Sequence, residues 1–217
     1  MIRKLAGGLL TLALMGTTTP CAASDMTGFG GVGFRGGTMF FTADPTIASQ
    51  DLPRLTGELV MSYNWSDHLT ADITVGWDWS QLDSGTDSFF VANVVPLFPI
   101  GIRYKFQDRK KLRPFIGGGA GLYNWSILSH DLGAAKDPVT FERLRRVDFG
   151  VYGIAGVERQ MSRHISMTAD GNYTHIFATD ENLFPSGYSG AKAYVQVRLG
   201  VTFWFSLSER IDTGLPE

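Results

Sequence analysis

The chain has 217 residues, of which 44% are hydrophobic and 18% charged, and its formal net charge is −2 at pH 7. This length fits one domain, and the nearly balanced charge excludes the basic excess that nucleic-acid binding needs. A single cysteine excludes a scaffold held together by internal disulfides.

The first 24 residues have the features of a secretory signal. Arg3 and Lys4 precede an apolar run at 5–15, and small residues at 21–24 form a cleavage region. The alternative is a membrane-spanning helix, which would need about 20 apolar residues, more than this run contains. We therefore predict a signal peptide at 1–24, an exported domain at 25–207 and a short periplasmic tail at 208–217.

Alternating apolar and polar residues predict eight β-strands, because successive side chains of a strand point to opposite faces. The predicted strands cover residues 29–42, 55–65, 69–80, 93–106, 112–125, 148–158, 165–177 and 193–205. The last is the clearest, since every odd position from Ala193 to Phe205 is apolar and the even positions, such as Arg198, are mostly polar or small. A tilted strand of about 9–11 residues crosses a bilayer, so this pattern predicts an all-β membrane barrel that is apolar outside and polar inside.

Two strands depart from regular alternation. In the fourth, Val94 and Pro96 are assigned to the same apolar face as Ile100, and Pro96 and Pro99 predict a bulge or a broken ladder, because proline donates no ladder hydrogen bond. In the fifth, the glycine-rich stretch 117–121 leaves the faces ambiguous, and such glycines make room for large neighbours, here interior arginines. Three aromatic residues of this strand are assigned to the outer face: Phe115, Tyr123 and Trp125.

The connections between strands alternate in length. Three connections are short: 66–68, 107–111 and 162–164. Three are long, 43–53, 126–147 and 178–190, and the connection 82–87 is of intermediate length. Bacterial outer-membrane barrels have short periplasmic turns and long external loops, so the alternation predicts that both termini are periplasmic. In the loop 126–147, the basic residues Arg143, Arg145 and Arg146 are candidates for binding a surface ligand.

Aromatic residues favour the membrane barrel over its alternative, a soluble ligand carrier of the lipocalin type, which also has eight alternating strands. Rings gather near both strand ends, for example Trp65 at one end and Trp77 at the other, as in girdles at the two membrane interfaces. The opposite face carries eleven charged residues: Arg35, Glu58, Asp72, Asp78, Arg103, Lys105, Asp148, Glu158, Asp170, Lys192 and Arg198. In a narrow barrel they form a neutralising network that plugs the lumen, or alternatively line a narrow polar conduit.

Three stretches resemble the small outer-membrane barrels of the OmpA-like transmembrane domain, OmpX and opacity-protein type: RPFIGGGAGL at 113–122, GVYGIAGVE at 150–158 and VRLGVTFWF at 197–205. The resemblance covers most of the mature chain and implies an eight-stranded antiparallel up-and-down transmembrane β-barrel in the outer membrane of a Gram-negative bacterium. It also implies insertion by the barrel assembly machinery, contact with outer-membrane lipid and lipopolysaccharide, and loops that present a site for a host or surface ligand. The chain departs from the pattern by continuing past Phe205, where such barrels commonly end.

No catalytic, cofactor or metal site is predicted. His175 lies toward the outer rim on the lipid-facing side, but its neighbours on that face, Tyr173 and Phe177, supply no serine nucleophile for it to activate. We predict a non-enzymatic outer-membrane protein with a structural role in the envelope, a surface interaction through loops 126–147 and 178–190, or both. The alternatives are a narrow ion conduit and a soluble periplasmic carrier, and no nucleic-acid partner is expected.

Overall fold

A computed structural model of the chain describes residues 26–42, 54–83, 89–106, 112–128, 136, 141, 145–177 and 193–207. The strands are β1 Phe29–Phe41, β2 Arg54–Asn64, β3 Leu69–Asp83, β4 Phe89–Lys105, β5 Leu112–Leu128, β6 Arg145–Gln160, β7 Ile165–Ile176 and β8 Ala193–Ser206. Each strand pairs antiparallel with the next, and β1 pairs with β8, so the predicted closed eight-stranded barrel is confirmed. Among the described residues, no helix is long and apolar enough to cross a membrane. The predicted signal peptide and tail lie outside the described residues.

The outer wall of the barrel is apolar and its interior is charged. Trp77, Ile100 and Leu199 are between 49% and 61% exposed on the outside, whereas Glu58 and Arg198 are 5% and 2% exposed inside. A soluble carrier needs the reverse arrangement, with charged groups facing water and apolar groups facing the ligand. The observed faces are those of a transmembrane barrel and contradict the soluble-carrier alternative.

The two ends of the barrel differ. The turn end carries the turns at 65–68 and 161–164 together with Met26 and Leu207. The loop end carries the connections β1–β2, β3–β4, β5–β6 and β7–β8.

Both described turns of the turn end are built by the same Ser-x-His sequence. The hydroxyls of Ser66 and Ser162 accept hydrogen bonds from the backbone N–H groups of His68 and His164, at 3.3 and 3.2 Å. Each imidazole Nδ1 lies within hydrogen-bond distance, 2.8 and 3.0 Å, of a backbone carbonyl at the adjacent ends of β4 and β8. The side chains therefore extend the pairing of the sheet past the last regular ladder position.

The irregularity predicted in β4 is confirmed as a bulge. The register against β5 shifts between Leu97 and Ile100, and the intervening Phe98 has a positive φ of 49°. The extra residue reverses the faces on one side of the bulge, so Val94 and Pro96 point into the lumen. Their assignment to the face of Ile100 was wrong. Simple alternation assumes that every second residue faces the same side, and the extra residue of the bulge shifts this pattern by one position.

The face assignment of β5 was also wrong. Phe115, Tyr123 and Trp125 lie in the interior and are at most 5% exposed, whereas Ile116 and Leu122 face outward. The glycines between them carry no side chains, so the stretch gave no polar or apolar signal from which the face could be read. The remaining rings of the predicted girdles do lie on the outer wall: Tyr63, Trp65, Trp77, Trp79, Tyr104, Phe106, Phe149, Tyr173, Phe177, Phe203 and Phe205.

Candidate functional site: the charged lumen

The structure places ten charged residues of the predicted set inside the barrel, and all ten are buried. They are Arg35, Glu58, Asp72, Asp78, Arg103, Lys105, Asp148, Glu158, Asp170 and Arg198. Lys192, the eleventh, lies outside the described residues. Burying this many ionised groups is costly unless they are paired, so their contacts determine whether the lumen is stable.

Two arginines organise the centre of the lumen in the same way. Arg198 of β8 contacts Asp170 on the adjacent strand β7 at 2.7 Å. On its other side it contacts Glu58 at 2.5 Å, on β2, which is separated from β8 by β1. Arg103 of β4 contacts Asp72 on β3 and, at 3.7 Å, Glu158 on β6. The two halves of the barrel therefore contain matching Arg–Asp–Glu triads, related by a shift of four strands.

Two further cations join the triads into one network. The Arg35 guanidinium lies 3.4 Å from Asp72 and 4.0 Å from Asp170, so it bridges the two aspartates. Lys105 lies 3.1 Å from Glu158 at the turn end of the lumen. The network consequently ties together strands on opposite sides of the barrel through charge-assisted contacts.

Asp78 is held by neutral donors toward the loop end. Its carboxylate accepts hydrogen bonds from the Thr56 hydroxyl at 2.5 Å, the Gln196 amide at 2.7 Å and the Tyr194 hydroxyl at 2.9 Å. The oxygen of the same Gln196 amide accepts a bond from Arg198 at 3.2 Å. Gln196 thus links Asp78 to the central network, a role that sequence alternation alone does not reveal.

The basic residues proposed as loop candidates do not all lie in a loop. Arg145 and Arg146 belong to β6, and β5 extends to Leu128, so the connection covers 129–144 rather than 126–147. The ladder continues here because Ser126 pairs with Arg145. Arg143 and the loop 178–190 lie outside the described residues.

Within β6, the two arginines differ in their surroundings. Arg146 forms an ion pair with the buried Asp148 at 2.9 Å, and the other oxygen of Asp148 accepts a bond from the Trp125 indole at 2.8 Å. Arg145 is exposed on the outward face. Of these two, Arg145 is therefore the one placed for contact with a surface ligand.

One buried cation among the described residues was not predicted from the sequence. Arg113 is 3% exposed, and its guanidinium lies 3.8 Å from the Asp67 carboxylate at the turn end. The wrong face assignment of β5 hid this residue, since Arg113 shares its face with Phe115. Nearby, three buried apolar side chains form a small cluster: Met26, Phe29 and Trp204.

Glycines make room for the large interior side chains. A Cβ added at Gly117 would lie 2.9 Å from Cγ of Arg103, and one at Gly200 would lie 2.7 Å from Cγ of Arg35. The Gly117 contact confirms the prediction that the glycine stretch of β5 lies beside an interior arginine, and Gly200 of β8 makes room in the same way. A barrel of eight strands is just wide enough for side chains to fill, so a bulky neighbour would displace the ion pairs.

Little space is left in the part of the lumen around Arg35. A cavity lined by Arg35, Tyr123 and Tyr152, among others, has a volume of about 10 Å³, which is room for about one water molecule. Outside, the ring centroid of His175 lies 4.9 Å from that of Phe177, an edge-on contact between lipid-facing side chains. Across the described ranges, no group of three or more His, Cys, Asp and Glu residues is placed to hold a metal ion.

Comparison with known proteins identifies the kind of barrel. The family model described as "Outer membrane protein beta-barrel domain" matches residues 9–203. Neisserial surface protein A superposes with a TM-score of 0.54 at 11% identity, covering 84% of this chain and 99% of that one. Ail, the attachment invasion locus protein of Yersinia pestis, solved with the heparin analogue sucrose octasulfate, superposes with a TM-score of 0.53 at 10% identity, covering 83% and 100%. None of the curated proteins matches the chain.

Proposed function

The chain belongs to the outer membrane protein beta-barrel domain family, and from this membership we propose that it is a closed, non-enzymatic surface protein of the outer membrane. The observation that carries the proposal is the continuous ion-pair network across the lumen, centred on Arg103 and Arg198. The function of the protein is then to stabilise the cell envelope and to hold the loop end rigidly at the cell surface. We also expect insertion by the barrel assembly machinery and contact with lipopolysaccharide.

The orientation follows from the lengths of the connections. We place both termini and the turn end in the periplasm, because outer-membrane barrels have short periplasmic turns. The loop end, with the connections 129–144 and 177–192, then faces the outside. Binding sites commonly lie on loops that a rigid scaffold positions, which supports a surface interaction at this end.

A narrow ion conduit is the competing function. A conducting path needs continuous water, but the described lumen cavity of about 10 Å³ holds about one molecule. Opening a path would separate Arg198 from Glu58 and Asp170, and leaving buried charges unpaired is costly. We therefore propose that the resting barrel does not conduct.

In planar lipid bilayers, the purified protein is expected to give no discrete current steps above the empty bilayer. Folding and insertion would be checked independently by the different gel mobility of unheated and boiled samples. Regular steps would contradict the closed state, most clearly if Arg103→Gln changed them. The matched control is Arg145→Gln, which removes the same charge outside the lumen and should leave any current unaltered.

Replacing Arg143 and Arg145 by serine is expected to lower attachment of cells to a sulfated polysaccharide surface severalfold. Exposed guanidinium groups bind sulfate and phosphate through paired hydrogen bonds. The Ail complex with a heparin analogue motivates the choice of probe. Arg146 is left unchanged, because its ion pair with the buried Asp148 would confound folding with binding.

Arg163→Ser is the control for this experiment. It removes an exposed arginine at the turn end, where the side chain lies over the Phe29 ring, so it changes net charge without touching the loop end. Equal attachment of the Arg143→Ser/Arg145→Ser variant and the parent would rule out these residues as the ligand site. Equal losses per charge removed, two in the double variant and one in Arg163→Ser, would show a general effect of charge instead.

A further inference from the structure

An apolar groove opens on the lipid-facing wall of the barrel. Its volume is about 200 Å³. The outward-facing side chains that line it are Val32, Leu59, Met61, Ile73, Val75 and Phe98. An apolar cavity of about 150 Å³ is enough to bind a benzene molecule, so this groove can hold a segment of a hydrocarbon chain.

The edge of the groove is formed by the bulge of β4. Phe98 has a φ of 49°, a left-handed conformation that non-glycine residues seldom adopt. Bulges redirect side chains, and here the Phe98 ring projects outward with 61% exposure beside the groove. A strained residue that aims an aromatic ring at a cavity is a reason to look for a ligand there.

The groove lies within the hydrocarbon layer, about midway between the two aromatic girdles. Of its residues, Met61 pairs with Ile73 and Leu59 pairs with Val75. Met61 is two positions from Tyr63 of one girdle, and Val75 is two positions from Trp77 of the other. The acyl chains of membrane phospholipids therefore reach the groove.

We propose that this groove is a binding site for a phospholipid acyl chain, with Phe98 as the side chain that holds the chain against β2 and β3. The proposal needs only a barrel embedded in the membrane and is independent of ligand binding at the loop end. It predicts a lipid that stays at this wall longer than the lipids around the rest of the barrel. A second copy of the protein is the competing occupant, and the experiment distinguishes the two.

The test uses the folded protein in liposomes that contain phosphatidylethanolamine with a photoreactive diazirine in the middle of one acyl chain. After illumination, mass spectrometry should find lipid adducts on β2 and β3 severalfold more often than on the outer wall of β6. Phe98→Gly should reduce these adducts to the level of β6. Glycine accepts the positive φ, so this variant should fold at least as well as the parent.

Two further variants keep the test decisive. Val75→Phe fills the groove while leaving Phe98 in place, so it should also remove the excess labelling of β2 and β3. This variant tests the proposal independently if Phe98→Gly impairs folding. Phe149→Ala removes a ring of similar exposure from the wall of β6 and should leave labelling of β2 and β3 unchanged. Uniform labelling of the outer wall, or labelling that survives both groove variants, would overturn the proposal. So would a dimer in sedimentation that Phe98→Gly dissociates, because a second copy would then occupy the groove.

Discussion

Replacing Arg198 by methionine is expected to lower the free energy of unfolding by about 3–5 kcal/mol. The guanidinium is 2% exposed and contacts Glu58 at 2.5 Å and Asp170 at 2.7 Å. Methionine fills similar space but leaves both carboxylates buried with one cation fewer. The measurement is the urea midpoint in detergent micelles or liposomes, followed by the loss of the faster-migrating unheated band on a gel.

Two controls separate charge pairing from the loss of a long side chain. Arg163→Met makes the same substitution at an exposed position, where it removes the contact with the Phe29 ring, and should lower stability by at most about 1 kcal/mol. In the double variant Arg198→Met/Glu58→Gln, much of the loss should be recovered, because Asp170 keeps its contact with Arg35 and the network again has equal numbers of positive and negative groups. A shift for Arg198→Met no larger than that for Arg163→Met would mean that the network does not stabilise the barrel.

Gly101→Ala is expected to destabilise the barrel by about 3 kcal/mol or to prevent its closure, because it overpacks the lumen. A Cβ at this position would collide with the Tyr152 hydroxyl and lie 2.8 Å from Cζ of the same ring and 3.0 Å from the Gly118 carbonyl. The Tyr152 ring comes from β6 and reaches past β5 to β4, so it cannot withdraw without losing its place in the lumen. The fraction of protein that shows the heat-dependent gel shift after refolding measures the effect.

Gly153→Ala is the matched control, since a Cβ there would meet nothing within 4 Å. It has the same effect on the unfolded chain as Gly101→Ala and should leave the urea midpoint close to that of the parent. Adding Tyr152→Phe to Gly101→Ala removes the nearest atom and should restore part of the stability. If the two alanine variants behaved alike, the close contact between Gly101 and Tyr152 would not be the cause.

Some features of this protein were determined by the sequence alone. Alternation with a period of two places the outer and inner residues of β2, β3, β6, β7 and β8, because a strand side chain can point to only one of two faces. Arg103 and Arg198 could be placed inside for that reason. The prolines of β4 also predicted its bulge, since a residue without an N–H group cannot complete the ladder.

Other features were decided by the tertiary structure. The faces of β5 follow from the neighbours of Tyr123 and Trp125, because a glycine stretch has no side-chain pattern of its own. The pairing of Arg198 with Glu58 joins residues 140 positions apart and depends on how far the strands are shifted relative to one another when the barrel closes. Alternation specifies on which side of the barrel wall a charged side chain lies. The position of that side chain along the barrel axis, and therefore its ion-pair partner, is set only when the sheet closes.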